Sequence, residues 1–206
     1  MAKRLTGGEA ADLIILADTG LDELTKQGKV VPGRTDFART GISVAVRKGA
    51  PKPDIASPEA LRRALLNAKA VAHTAPAGGG ITAMHLLRMF EKLGIAQEVA
   101  AKTRLAAGGP NGRVSTIVAS GEADIGLQQV SELMSNPGVD VVGLLPAELQ
   151  QITVYSAGIT ANAKEAARAF IRFISTPAAA PIFAAKGLRP SRLGRTYSEN
   201  REALGM

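Results

Sequence analysis

The sequence of 206 residues contains no cysteine and no tryptophan, and it has only two histidines. The absence of cysteine excludes disulfides, thiolate metal sites and a cysteine nucleophile, although it does not identify the compartment. Only 3% of the residues are aromatic, which argues against platforms on which nucleic-acid bases stack. No apolar run reaches the length of a membrane span, and the longest, such as LIILA at 13–17, have the length of a strand.

The charge of the chain is positive, with a formal net charge of +7. A solvated basic surface would explain this value, and so would an anionic partner. The lysines and arginines are scattered, and their densest cluster lies near the C-terminus, at Lys186, Arg189, Arg192, Arg195 and Arg201. Because no compact patch is formed, we expect no nucleic-acid partner.

Strand-like and helix-like runs alternate along the sequence, which predicts an α/β protein with a mainly parallel sheet. The clearest helix is SPEALRRALLNA, in which Ser57 is a good N-cap residue and Pro58 suits the first helical position. The run AKEAARAFIRFIS (163–175) predicts a second helix, whose core-facing residues we expect to be Ala166, Phe170, Phe173 and Ile174.

Two turns with glycine precede predicted helices, and both are suited to holding an anion. The stretch HTAPAGGGIT begins as a strand, and Gly80 lets the backbone approach a ligand while Thr82 can cap the helix or turn its hydroxyl toward an anion. In the second turn, Asn111 offers an amide and Gly112 offers a free backbone N–H. Each turn alone is also typical of an ordinary loop, but the pair favours a bound oxyanion.

A pair of amides, Gln128 and Gln129, ends the predicted strand ADIGLQQV. Ligands of open α/β sheets gather beyond the carboxyl ends of the strands, so this pair lies where a ligand is expected. Because side chains alternate along a strand, one amide can face the ligand while the other bonds within its own lobe.

The sequence offers no convincing catalytic machinery. His73 ends a strand and His85 lies within a predicted helix, and neither has an evident acid–base partner. The motifs GxSxG and HExxH and a P-loop lysine are absent, and the GGG run is not a dinucleotide fingerprint. We therefore expect a protein that is not an enzyme and that uses no cofactor or metal, with an enzyme that binds a phosphate group at the glycine-rich turn as the weaker alternative.

Several blocks of the sequence, in their order and spacing, resemble the substrate-binding proteins of molybdate-type ABC importers. The blocks are ADLIILAD, GISVAVRKGAPKPDI, SPEALRRALL, KLGI, GEADIGLQQVSEL, LPAELQ and FISTPAAAPIFAAKGL. The resemblance implies the two-lobe type II periplasmic binding protein fold, with residues 1–44 and 152–206 in lobe I and residues 45–151 in lobe II. It also implies a small oxyanion ligand held between the lobes by neutral hydrogen bonds, and an ABC permease as partner.

The same resemblance assigns ligand contacts in the second lobe. It places them near Thr82 and on Asn111, and it favours Gln129 over Gln128 for the ligand side. Molybdate binders carry a tyrosine where this chain has Gln129, and this departure sets the chain apart from true molybdate binders.

The N-terminal end of the chain matches the middle of the second helix of the family. The resemblance therefore implies that the family's first strand–helix–strand unit is missing and that lobe I has an unpaired sheet edge. From this we expect self-association that covers the exposed surface. The family is periplasmic, whereas the chain as given shows no signal peptide, so a cytoplasmic ligand-sensing domain of the same fold is the alternative.

Overall fold

Short strands and helices alternate along the chain in the computed structural model, which describes residues 2–76, 80–107 and 112–191. This pattern confirms the predicted α/β class. The α-helices are α1 Ala2–Thr6, α2 Asp18–Lys26, α3 Pro58–Asn67, α4 Ile81–Lys92, α5 Ala96–Ala100, α6 Val114–Ser120, α7 Val130–Leu133, α8 Glu165–Ile174 and α9 Ala180–Ala184. The strands are β1 Leu13–Ala17, β2 Thr35–Arg47, β3 Val71–Thr74, β4 Thr103–Ala106, β5 Ile125–Gln129, β6 Val139–Leu144, β7 Ile152–Ile159 and β8 Arg189–Pro190. Within the described ranges, no helix is both long enough and apolar enough to cross a membrane.

The chain forms two compact units, of which unit 1 contains residues 1–39 and 153–206 and unit 2 contains residues 40–152. The chain passes from unit 1 into unit 2 within β2 and returns at the start of β7. The sequence resemblance implies crossings at GISVAVRKG and ITVYSAGIT; in the structure the first passage falls between Arg39 and Thr40, just before GISVAVRKG, and the second falls within ITVYSAGIT.

Unit 2 is built on a mixed sheet. Strand β3 pairs in parallel with β4 and β5, with His73 opposite both Leu105 and Leu127. The second half of β2 pairs antiparallel with β5, where Ile42 lies opposite Gln129, and antiparallel with β6. The largest apolar cluster of the described residues lies on the α3 and α4 face of this sheet, and a smaller cluster lies under α6.

Unit 1 has antiparallel strand pairs. Strand β1 pairs with β7, with Leu13 opposite Ile159, and the first half of β2 pairs with β8. Within the described residues β1 has a strand partner on one side only, and a groove of about 310 Å³ beside it is lined by Arg4, Leu5 and Glu9 together with β1 itself. The prediction of a mainly parallel sheet is therefore wrong outside β3, β4 and β5, because the strands at the two crossings run against their neighbours.

The ends of two helices in unit 2 are set by local contacts, and the predicted Ser57 cap of α3 is confirmed. The Ser57 side chain accepts a hydrogen bond of 3.1 Å from the backbone N–H of Ala60, and so it satisfies one of the free donors at the start of α3. Helix α6 ends at Gly121, whose φ of 84° is left-handed, a conformation that glycine adopts without steric cost. These contacts set the ends of the two helices that flank the sheet.

The predicted core face of α8 is corrected by the structure. Ile174 is buried as expected, together with Ala167, but Phe170 and Phe173 are 45% and 48% exposed and Ala166 is exposed as well. Apolar residues recur at helical spacing on two sides of this helix, so periodicity alone does not identify the inner one. The side of α8 that packs on the unit 1 sheet carries the small residue Ala167 and the β-branched residue Ile174.

Candidate functional site at the carboxyl edge of the unit 2 sheet

The carboxyl ends of the parallel strands β3 and β5 meet at one edge of the unit 2 sheet. Strand β3 ends at Thr74 and strand β5 ends at Gln129, and helix α4 begins at the same edge after Gly80. This is the position at which open α/β sheets receive ligands. Two hydrogen-bonded pairs of a glutamine and a threonine occupy it, one on each face of the sheet.

The first pair lies on the α4 face. The amide Nε2 of Gln129 donates to the hydroxyl of Thr82, in the first turn of α4, at 3.2 Å. Both side chains are largely buried, at 8% and 7% exposure. Strand alternation places Gln129 on the same side as Leu127, which belongs to the apolar cluster that includes α4 residues. The pair therefore joins the end of β5 to the start of α4.

The second pair lies on the α6 face. A Cβ built on Gly126 would meet Val114 and Val118 of α6, so the side chain of Gln128, two residues further on, faces the same side. The amide Nε2 of Gln128 donates to the Thr74 hydroxyl at 2.5 Å, and the Gln128 Oε1 accepts from the backbone N–H of Gln129 at 2.8 Å. Both polar ends of the Gln128 amide are thus held.

The start of α4 is open to a ligand. Gly80 precedes the helix in an extended conformation, and no side chain of the described residues caps the helix there. Among the described residues, a Cβ built on Gly80 would find no neighbour within 4 Å, so this part of the chain leaves the backbone open to close approach. The free N–H groups of the first turn and the helix dipole favour an anion at this end of a twelve-residue helix.

The second predicted turn is described only in part. Gly112 lies two residues before α6, whereas Asn111 lies outside the described residues, as do Gly78 and Gly79. The assignment of Asn111 as a ligand contact therefore stays a prediction.

The two histidines are engaged by the fold. The Nδ1–H of His73 donates to the carbonyl of Thr74 at 3.0 Å, and its ring packs against Phe90 with the ring centroids 5.6 Å apart. Burial lowers the pKa of His73 from 6.5 and outweighs the hydrogen bond to Thr74, which raises it. The Nε2–H of His85 donates to the carbonyl of Leu149 at 2.8 Å. In the described part of the chain, no group of histidines and carboxylates could hold a metal ion.

The structure thus brings together four of the residues that the sequence singles out: Gly80, Thr82, Gln128 and Gln129. It adds Thr74, which sequence reasoning missed. Thr74 would have been found from the Gln128 position had the pairing of β3 with β5 been known, because neighbours on one face of a sheet interact.

Comparison with known proteins places the chain in a family. Residues 1–189 match the model of the family described as bacterial extracellular solute-binding protein. The chain belongs to this family. An aconitate isomerase from Pseudomonas sp. is 37% identical over 191 residues, which cover 91% of this chain and 70% of that protein.

Solved structures share the fold at lower identity. The periplasmic molybdate-binding protein of Azotobacter vinelandii superposes with a TM-score of 0.69 at 21% identity, covering 94% of this chain and 83% of that one. The sulfate-binding protein of Mycobacterium tuberculosis H37Rv superposes with a TM-score of 0.66 at 18% identity, covering 93% and 73%. The fold of this solute-binding protein is thus that of the periplasmic binding proteins, as the sequence resemblance implies.

Proposed function

We propose that this solute-binding protein binds a small anion at the carboxyl edge of the unit 2 sheet, through neutral hydrogen-bond donors. One observation carries the proposal: the buried Thr82 hydroxyl is held by Gln129 in the first turn of α4, beside the open backbone at Gly80. Backbone N–H groups, hydroxyls and amides can hold an anion without an opposing charge.

The donors at this edge suit an anion with several acceptor oxygens. The Thr82 hydroxyl accepts from Gln129, and none of the described residues accepts its proton, which can therefore be donated to a ligand. The first turn of α4 adds backbone N–H groups. Gly112 is proposed to contribute a further N–H from the second turn. A tetrahedral oxyanion such as molybdate or sulfate meets this description, and the sequence resemblance and the names of the structural neighbours support it.

A second candidate ligand is aconitate, a tricarboxylate. The observation that favours it is the 37% identity with an aconitate isomerase over 91% of the chain. Carboxylates also present acceptor oxygens to neutral donors, so the same edge could hold one of the three carboxylate groups of aconitate. In this case the protein either captures aconitate as a solute or interconverts its isomers.

The role that we propose in the cell follows from the family. A solute-binding protein delivers its ligand to an ABC permease, and the family resemblance supports the periplasm as its location. The self-association expected from the sequence would involve the edge of β1, which within the described residues has one strand partner.

The ligand is tested by thermal-shift titration with molybdate, tungstate, sulfate, phosphate and the aconitate isomers, since a ligand that binds the folded state alone raises its melting temperature. We expect a saturable rise with one of these anions, which is reduced in Thr82→Val. Thr103→Val is the matched control, because the Thr103 hydroxyl donates to the Val99 carbonyl at the opposite end of the parallel strands. Equal titrations of Thr82→Val and the wild-type protein would contradict the proposed site.

Catalysis is tested separately, by incubating the protein with one aconitate isomer and following the other by proton NMR. Interconversion that scales with protein concentration would establish an isomerase. Stabilisation by aconitate without interconversion would establish a binding protein for the tricarboxylate.

A further inference from the structure

We infer that Thr74 is a second hydroxyl donor to the anion and that Gln128 is a positioning residue, which orients Thr74 rather than contacting the ligand. The inference rests on the proposed function of this edge. It adds a ligand contact that the sequence did not indicate, and it gives Gln128, which the resemblance places away from the ligand, the role of orienting that contact.

The orientation of the Gln128 amide follows from its partners. A backbone N–H can only donate, so the Gln128 atom that lies 2.8 Å from the Gln129 nitrogen must be the carbonyl oxygen Oε1. The NH₂ end then points at the Thr74 oxygen, 2.5 Å away, and donates to it. The direction of this second bond is therefore set by the first.

This direction determines what the Thr74 hydroxyl can do. A hydroxyl has one proton, and an oxygen that accepts from an amide turns that proton elsewhere. Across the described ranges of the chain, no protein group accepts a hydrogen bond from the Thr74 hydroxyl. Thr74 is only partly buried and is the last residue of β3, so the proton can be donated beyond the carboxyl edge of the sheet.

The same arrangement recurs on the other face of the sheet with Gln129 and Thr82. Each hydroxyl accepts from a glutamine amide, and among the described residues no protein group accepts the proton of either one. Two such donors at one edge favour a ligand that presents at least two acceptor oxygens.

The role of Thr74 is tested by substitutions of the hydroxyl, with the anion selected by the titration above. Thr74→Val keeps the shape of the side chain and removes the hydroxyl, and we expect Kd to rise about 10- to 100-fold, as is typical of one hydrogen bond to a charged group. Thr74→Ser restores the donor and should bring Kd back to within about threefold of the wild-type value. Unchanged affinity in Thr74→Val would overturn the inference.

The positioning role of Gln128 is tested by a double-mutant cycle with Gln128→Met, which keeps the length of the side chain and removes the amide. If Gln128 acts through Thr74, Gln128→Met weakens binding in the wild-type background and has little further effect in the Thr74→Val background. If Gln128 contacts the anion itself, the loss is the same in both backgrounds, and the positioning role is refuted.

The state of the free protein separates this inference from the proposed function. In the ligand-free protein, the side-chain NH₂ signals of Gln128 should be resolved by NMR and should shift in Thr74→Val but not in the control Thr103→Val. A protein that shows this shift and yet binds no anion would refute the function of the site. A protein that binds the anion but shows no shift would refute the link between Gln128 and Thr74.

Discussion

The packing of α6 on β5 sets the α6 side of the candidate site, and Gly126→Ala perturbs it directly. A Cβ at position 126 would lie 2.6 Å from Cγ2 of Val118 and 2.9 Å from Cγ1 of Val114. Carbon atoms in contact are normally about 3.5 to 4.0 Å apart, so α6 would have to move by about 1 Å. Overpacking of this kind in a well-packed core costs about 1 to 3 kcal/mol.

This loss can be measured by urea unfolding, followed by far-UV circular dichroism. The urea concentration at the midpoint should be lower, while the slope of the free energy of unfolding against urea concentration should be unchanged. Gly143→Ala is the matched control, because a Cβ there would lie 3.6 Å from Cδ1 of Ile55, an ordinary contact. We expect the control to change the free energy of unfolding by less than about 0.5 kcal/mol. If both variants unfold at the same urea concentration, the tight contact between α6 and β5 is not a feature of the folded protein.

Three further predictions concern other parts of the chain. Burial lowers the pKa of His73 from 6.5, so below this pH the unfolded state binds a proton that the folded state does not. The free energy of unfolding should therefore fall as the pH drops below 6.5, and it should fall less in His73→Leu. Equal pH dependence in the two proteins would contradict this. Ser57→Ala removes the cap of α3 and should cost about 1 kcal/mol in urea unfolding, whereas Ser57→Asp should retain most of the stability. Burial raises the pKa of Asp36, but the hydrogen bonds from Ser156 and Arg34 and the charges of Arg34 and Arg39 together lower it below its usual value, so Ser156→Ala should raise it. An unchanged Asp36 pKa by carbon-13 NMR would argue against the hydrogen bond from Ser156.

The parts of the fold that local chemistry determines could be predicted from the sequence. Ser57 caps α3 and Gly121 ends α6 because each makes bonds only to residues within four positions of itself. The α/β class follows from runs whose hydrophobic period is visible along the chain. Signals of this kind can be read from the sequence because all the residues that produce them lie within one helix or one strand.

The remaining features depend on partners that are distant in the sequence. The pair of Thr74 and Gln128 joins residues 54 positions apart, through a pairing of β3 with β5 that no local pattern displays. The apolar stripe predicts both Phe170 and Ile174 for the inner face of α8, but only Ile174 is buried, because burial depends on the distant residues that pack against the helix, such as Phe37 and Ala157. The antiparallel pairing of β2 with β5, β6 and β8 likewise joins strands that are distant in the sequence, so no local pattern predicts it.

The measurement that tests the central claim most directly is a titration of the ¹⁵N-labelled chain with the stabilising anion, followed by amide chemical shifts. If the anion binds at the carboxyl edge of the unit 2 sheet, the largest changes should occur at the backbone amides of Thr82 and Gln129 and at the side-chain amide of Gln128. They should be much smaller at Lys69 and Asp124, which precede β3 and β5 at the opposite end of these strands. Changes centred on Lys69 and Asp124, or spread evenly over the chain, would contradict the proposed site.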